Sequence, residues 1–402
     1  MPSNSGGRAG HKPTHSVPSR PTPAGACPNP DADTARAVER TLGLYLEERL
    51  LEAESVDTQF AKDVAERVRS LALRGGKRLR AQFAWWGWRA GGGDVAGRGM
   101  QSALRLGAAL ELIQTCALIH DDVMDGSSLR RGAPSLHVDF ATDHLRSGLR
   151  GDHVAHGRAS AILAGDLALA WADDLVADIE ADTPTRKRIL ALWRSMRAEM
   201  VAGQYLDMYA QADSSSSQDR ALHIALLKTS LYTVERPLAL GAVLGGADEG
   251  TISALRSAGR SAGIAFQLRD DLLGVFGDPS ETGKPVGEDI RSGKLTYLTA
   301  TARSLSENAG DANSRSALSR AIGNPEISDA DLNRLRECLE RTGAQGRTEA
   351  EIDRLLSHSE EELFRASLPS LVSRHLSTLM GISKRTSRTA TTSPMEQHSS
   401  AK

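Results

Sequence analysis

Residues 102–119 read SALRLGAALELIQTCALI, apolar on nearly every side of a helical wheel. A helix of that kind offers no polar stripe to water, so it forms only where other helices wrap it. The rest of the chain supplies the wrapping. ARAVERTLGLYLEERLLEAE (35–54) spaces its apolar residues three and four apart, and ASAILAGDLALAWADDL, LHIALLKTSLYTVERPLALGAVLG and ALRSAGRSAGIAFQLRDDLL behave similarly. Alternating β-branched stretches are missing, aromatic residues make up only 4% of the chain, and the abundant Ala, Leu, Arg and Glu favour helix. No short repeat recurs that would build a solenoid. The expected fold is all-α: one large, single-domain helical bundle.

The flanks differ in composition. Residues 1–32 hold seven of the chain's 15 prolines among Ser, Gly and Thr, and residues 384–402 are rich in Ser and Thr. Neither can bury enough apolar area to offset its ordering entropy, so both read as disordered tails around a folded domain at 33–383. A formal net charge of −2 gives no global field for nucleic acid or an anionic membrane. Cys27, Cys116 and Cys338 are odd in number and lack C-x-x-C spacing, which suits a reduced compartment and no thiolate metal site. There is no secretory core near the N-terminus, and no uninterrupted apolar run reads as long enough for a bilayer. The expectation is a cytoplasmic protein with no integral membrane segment and no nucleic-acid partner.

The chemistry begins where the buried-type helix ends, in LIHDDVMDGSSLRRG (118–132). Asp121 and Asp125 are four apart and share a helix face, while Asp122 is turned about 100° away. Gly126 suits a helix end, which puts the acids where the macrodipole is already negative. A second cluster repeats the arrangement, with Asp270 and Asp271 at the end of another apolar run. Two such helix ends facing each other repel unless a cation lies between them. Mg²⁺ suits oxygen ligands, one or two carboxylates completed by substrate phosphates. A lone acidic cluster is more often a solvated face; two, each closing a buried helix, point to metal. Asp173 and Asp174 in WADDL have no basic companions and read as surface. His137, His144, His153 and His156 lack ligand spacing and read as loop residues, and Trp85, Trp86 and Trp88 read as helix core.

Basic groups accompany the acids. Arg130 and Arg131 can each grip a phosphate in bidentate fashion. LRGGKRLR supplies Lys77, Arg78 and Arg80 behind a glycine pair that could open a helix towards an anion. Lys228 follows in LLKTSLY, and Lys284 and Lys294 in TGKPVGEDIRSGKLT, a Gly-rich loop able to fold over a ligand. Carboxylates for Mg²⁺ beside separate phosphate grips imply a metal-bound diphosphate and a second, purely basic anion site.

GGKRLR, LIHDDVMDGSSLRRGAPSLH, AILAGDLAL, GQYLDM, KTS and FQLRDDLLGVFGDPSETGKPVGEDIRSGKLT, in that order, resemble the polyprenyl synthetase family, the trans-prenyl diphosphate synthases, over roughly residues 35–380. The resemblance implies a helical bundle around a central cavity, a homodimer and three Mg²⁺ ions. It implies Asp121, Asp125 and Asp270 as metal ligands, supported by Asp122 and Asp271, and Lys77, Arg80 and Arg131 as the site for isopentenyl diphosphate. Arg130, Lys228, Lys284 and Lys294 match grips on the allylic diphosphate, and Thr229 and Gln267 polar groups facing the allylic carbon. The sequence departs from the family pattern twice. Gln114 stands where a histidine commonly helps hold isopentenyl diphosphate, and its amide can still donate. Gly274 replaces a third aspartate in the second cluster. Small residues at Cys116 and Ala117, one turn before Asp121, leave room for geranylgeranyl diphosphate or a longer chain, with Ile113 and Leu112 a turn deeper able to form a floor. The expected product is geranylgeranyl diphosphate, with farnesyl or longer-chain diphosphates as alternatives. A class I terpene cyclase would leave Lys77, Arg80 and Arg131 unexplained, and a non-catalytic partner subunit would not need both acidic clusters.

Overall fold

The computed structural model describes residues 29–97, 99–278 and 286–382. It is all-α apart from two two-residue strands. In chain order the helices are α1 (Thr34–Val56), α2 (Thr58–Phe60), α3 (Glu66–Leu73), α4 (Leu79–Ala90), α5 (Gly99–Asp125), α6 (Leu136–Arg146), α7 (His153–Ala177), α8 (Thr183–Ala212), α9 (Gln218–Ala225), α10 (Arg236–Gly245) and α11 (Glu249–Phe276). They continue with α12 (Glu288–Arg291), α13 (Tyr297–Asn308), α14 (Ala312–Ala321), α15 (Asp329–Arg341), α16 (Ala344–Arg365) and α17 (Ser370–Leu379). Ala61–Ala65 and Leu226–Glu235 have the wider turns of a π-helix. Many helices start on a side-chain cap: Asp33, Asp152, Asp182, Asp248 and Ser328 each accept from a backbone N–H of the first turn, satisfying donors the helix leaves open.

α5 lies at the centre, packed chiefly against α7 and also against α4 and α1. By length and hydropathy α5 could cross a membrane, contrary to the reading that no run is long enough; 78% of its apolar window is buried inside the protein. The wrapping that its composition demanded is the reason. Trp85, Trp86 and Trp193 are among the largest fully buried side chains, each contributing on the order of 1.5–3 kcal/mol or more. α4 meets α10 at backbone distance, since a Cβ on Gly241 would lie 1.9 Å from the Ala84 carbonyl oxygen. A smaller core, including Val275, Ile290, Leu298 and Leu335, joins the end of α11 to α12–α15.

Most of the two expected tails falls outside the described residues. The folded chain extends slightly before residue 33, because Asp31 accepts from the Trp85 indole at 2.9 Å and pairs with Arg89 at 3.2 Å. The four histidines are corrected from loop to helix: His137 and His144 lie in α6 and are buried, while His153 and His156 open α7. Asp173 is corrected too. It accepts from the Trp193 indole at 2.6 Å and pairs with Arg197, a companion 24 residues away that local reading cannot see.

Candidate active site

α5 ends at Asp125, and Gly126 follows at φ 65°, so the first acidic cluster occupies a last helical turn as its spacing predicts. Along this otherwise buried helix, Gln114, Ala117, Leu118, Asp121 and Asp125 remain partly or fully accessible. They follow a three-to-four-residue spacing, one face of the helix. Of the three residues expected to set chain length, Ala117 lies on that face. Cys116, about 100° round the helix from Ala117, and Ile113, one turn before Ala117 and only about 40° from it, are buried in the core at 3% and 0% exposure. Burial pushes the Cys116 thiol up to about 12, so it stays protonated as a small core residue.

The second cluster comes from α11. Asp121, Asp207, Asp270, Asp271 and Asp289 line one cleft of about 220 Å³ with Lys228, Thr229, Gln267 and Lys294. Lys228 and Thr229 sit in the π-helical segment, a wide turn of the kind that recurs at functional sites. Gly203 lets α8 approach it: a Cβ there would lie 2.7 Å from the Lys228 backbone nitrogen. The Lys228 ammonium donates to Asp207 at 2.7 Å and lies 3.5 Å from Asp121. Gln204 donates to Asp121 at 3.1 Å. Lys294 donates to Asp125 at 3.2 Å and lies 3.7 Å from Asp289; although burial opposes it, these and neighbouring carboxylates hold its ammonium above the ordinary lysine range. Thr229 donates to Gln267 at 2.6 Å, and Gln267 donates onward to Asp271 at 2.8 Å.

Asp122 and Asp271, the supporting carboxylates, are both buried, although Asp271 also lines the cleft. Asp122 is 1% exposed and accepts on one oxygen from the Nε (2.9 Å) and Nη2 of Arg130; burial raises its pKa against the pull of that guanidinium. Arg130 also lies 3.5 Å from Asp121. Asp271 is buried, and burial, aided by Asp289 and Asp270 and opposed by the Gln267 hydrogen bond, pushes its carboxyl up to about 8. Between about pH 4, the ordinary carboxylate value, and about 8, the folded protein holds a proton there that the unfolded chain does not. Stability from this group therefore falls as pH rises across that window. Asp271→Asn, which keeps an acceptor for Gln267, is expected to raise the metal-free melting temperature by an amount that grows with pH over the same range. A pH-independent difference between variant and parent would contradict the assignment.

A second group of cations is built differently. The strands Leu129–Arg130 and Ala133–Pro134 pair in a two-residue hairpin, with Arg131 (φ 53°) and Gly132 (φ 73°) both left-handed, as its tight turn requires. That turn sends the two arginines apart. Arg131 donates to the Gly75 carbonyl at 2.7 Å and to that of Arg74, which sets it beside the GGK turn. Lys77 is exposed there. Arg80 donates to Thr233 at 2.8 Å and stacks 4.3 Å from the Tyr232 ring. Arg78 is separate: it is buried and neutralised by Glu111 (2.9 Å) and Glu39 (3.0 Å). Lys77, Arg80 and Arg131 have no carboxylate partner among the described residues. Gln114 keeps a buried amide oxygen with no hydrogen-bond partner, and Lys284 lies outside the described residues.

Sequence reading assigned no role to Asp207, Gln204 or Asp289. The first two lie in GQYLDM, where the i, i+3 spacing was the available signal; Asp289 lies in α12, just before Lys294. Among the described residues no three acid, histidine or cysteine groups converge tightly enough to chelate an ion alone. Lys228, Lys294 and Arg130 hold the carboxylates instead. An all-oxygen donor set that still needs phosphate ligands fits Mg²⁺, which keeps several waters and accepts few protein ligands.

Residues 61–339 match the polyprenyl synthetase family. The chain belongs to that family. It is 30% identical over 286 residues to the geranylgeranyl diphosphate synthase of Saccharolobus solfataricus, covering 71% of this chain and 78% of that one. It is 34% identical over 277 residues to the geranylfarnesyl diphosphate synthase of Aeropyrum pernix, covering 68% and 78%. Among solved structures, geranylgeranyl pyrophosphate synthase from Corynebacterium glutamicum, complexed with isoprenyl diphosphate and magnesium, superposes with a TM-score of 0.81 at 37% identity, covering 88% of this chain and 97% of that one. The all-α fold expected from the helical periodicity is the fold of this family, and the enzyme class is trans-prenyltransferase.

Proposed function

We propose that this family member elongates an allylic diphosphate with isopentenyl diphosphate, in the presence of Mg²⁺, to give geranylgeranyl diphosphate. The observation that carries the reading is the pairing of two anion sites of opposite construction. One cleft is lined by five aspartates and repels a diphosphate unless divalent cations intervene. The other group, Lys77, Arg80 and Arg131, has no carboxylate partner among the described residues and can take a diphosphate directly.

Asp121, Asp125 and Asp270 would hold the metal, three ions on the family pattern, which supplies positive charge to the departing diphosphate. Lys228, Lys294 and Arg130, now paired to aspartates, add fixed positive charge at the same group. The allylic C–O bond breaks with both electrons on oxygen. The π electrons of isopentenyl diphosphate, positioned by Lys77, Arg80, Arg131 and Gln114, then form the new C–C bond, and a proton leaves to the released diphosphate. Thr229 and Gln267, bonded to each other at 2.6 Å, offer neutral oxygens beside the developing cation.

The relatives are named for geranylgeranyl and geranylfarnesyl diphosphate; accessible Ala117 supports a passage deep enough for geranylgeranyl. Incubation with Mg²⁺, isopentenyl diphosphate and five-, ten- or fifteen-carbon primers, followed by sizing of the dephosphorylated products, tests the proposal. A cyclised hydrocarbon made without isopentenyl diphosphate would overturn it. Ala117→Phe is expected to shift the main product to farnesyl diphosphate, and an unchanged product would remove Ala117 from the channel. Exposed apolar surface supports the homodimer reading: Ile162 and Leu163 on α7 and Val201 and Tyr205 on α8 leave 46–63% of their surface open, apolar area that a second copy can cover. Sedimentation of the purified chain as a monomer would refute that part. The compartment proposed is the cytoplasm.

A further inference from the structure

Behind Lys294, the loop that carries it walls a second cleft of about 390 Å³, larger than the aspartate-lined one. Gln211 at the end of α8, residues 214–216 of the turn that follows, the loop 292–295 and Arg303 of α13 help enclose it. No described carboxylate lines it. The Arg303 guanidinium and the Ser214 and Ser216 hydroxyls have no hydrogen-bond or ion-pair partner among the described residues. Of the acids flanking its walls, Asp213 is engaged by Arg220 at 2.5 Å and Asp289 by Lys294 at 3.7 Å, while Glu307 stands one turn after Arg303 on α13 without lining the cleft. Ser214 is held at φ 52°, a left-handed conformation unfavourable for a non-glycine residue and one that clusters at binding sites.

We propose that this cleft is a metal-independent site for a free diphosphate anion, additional to the two substrate sites and sharing only the Lys294–Leu295 wall with the aspartate-lined one. A guanidinium can grip such an anion through paired hydrogen bonds, and serine hydroxyls with the Gln211 amide add neutral donors. Its apolar lining is confined to Leu295, Ala300 and Ile322, too little to shelter a prenyl chain. Inorganic diphosphate is therefore the fitting ligand; that identification as by-product rests on the prenyl-transfer reading, while the anion site does not. Lys294 belongs to both clefts. An anion held behind it draws the ammonium away from Asp125 and Asp289, and so opposes diphosphate binding in the catalytic cleft.

Equilibrium dialysis of labelled inorganic diphosphate against the full-length chain, with chelator present, tests this without turnover. The wild type is expected to bind two per chain, one at Lys77–Arg131 and one in the cleft. Arg303→Gln and Ser216→Asp, both at accessible positions, should each weaken the second by about tenfold or more, and Lys77→Gln only the first. Isopentenyl diphosphate should displace one of the two. A single wild-type site abolished by Lys77→Gln, or two sites unchanged in both cleft variants, would overturn the proposal. Loss of the cleft site would leave prenyl transfer standing, and inactivity on prenyl substrates with Arg303-dependent binding would leave the cleft standing.

Discussion

Asp270→Ala is expected to lower kcat at least about 10³-fold, the scale of losing a metal contact and the charge it brings to the leaving group. Folding should be preserved. Asp270 is exposed on α11 and has no hydrogen-bond partner among the described residues, so the metal-free variant loses only mutual repulsion among the cleft aspartates. Its melting temperature without metal should equal or exceed the parent's, while added Mg²⁺ with a substrate diphosphate should stabilise it less. Asp121→Ala should behave alike in turnover, although it also frees Gln204 and leaves Lys228 with Asp207 alone. Near-normal turnover in either variant would remove that residue from the metal site.

The second large effect is structural. Glu235 closes the π-helical segment at 0% exposure, between Arg236 at 3.0 Å, Arg256 at 2.6 Å and Arg260 at 3.7 Å. Arg236 is itself buried and is shared with Glu199 at 2.6 Å. Glu235→Ala leaves a buried guanidinium with only one of its two acids, and breaking such a pair typically costs about 3–5 kcal/mol. The denaturant midpoint should fall accordingly with the slope unchanged. Lys228 and Thr229 lie two turns earlier on the same segment, so activity should fail at lower temperature than in the parent. A stability change under about 1 kcal/mol, within the range of surface pairs, would show that the arginines find other partners.

Both outcomes trace to information of different range. The acidic clusters were legible because Asp121 and Asp125, and Asp270 after its apolar run, declare themselves within a few residues. The GGK turn and the paired arginines were legible for the same reason. The partners were not. Asp207 meets Lys228 across 21 residues, and Lys294 meets Asp125 across 169; no local pattern encodes either contact. Asp122 and Asp121 are adjacent in sequence, yet one is buried against Arg130 and the other opens into the cleft.

The sequence by itself determined a helical protein with a largely wrapped central helix, acid-tipped at its C-terminal end, since periodicity, capping and composition act over single turns. Only the tertiary structure decided that Ala117 faces outward from α5 while Cys116 and Ile113 do not, that Asp173 has Arg197 for company, and that a carboxylate-free cleft lies behind Lys294. Those facts depend on which helix lies against which face. That choice is made by the packing of the whole bundle.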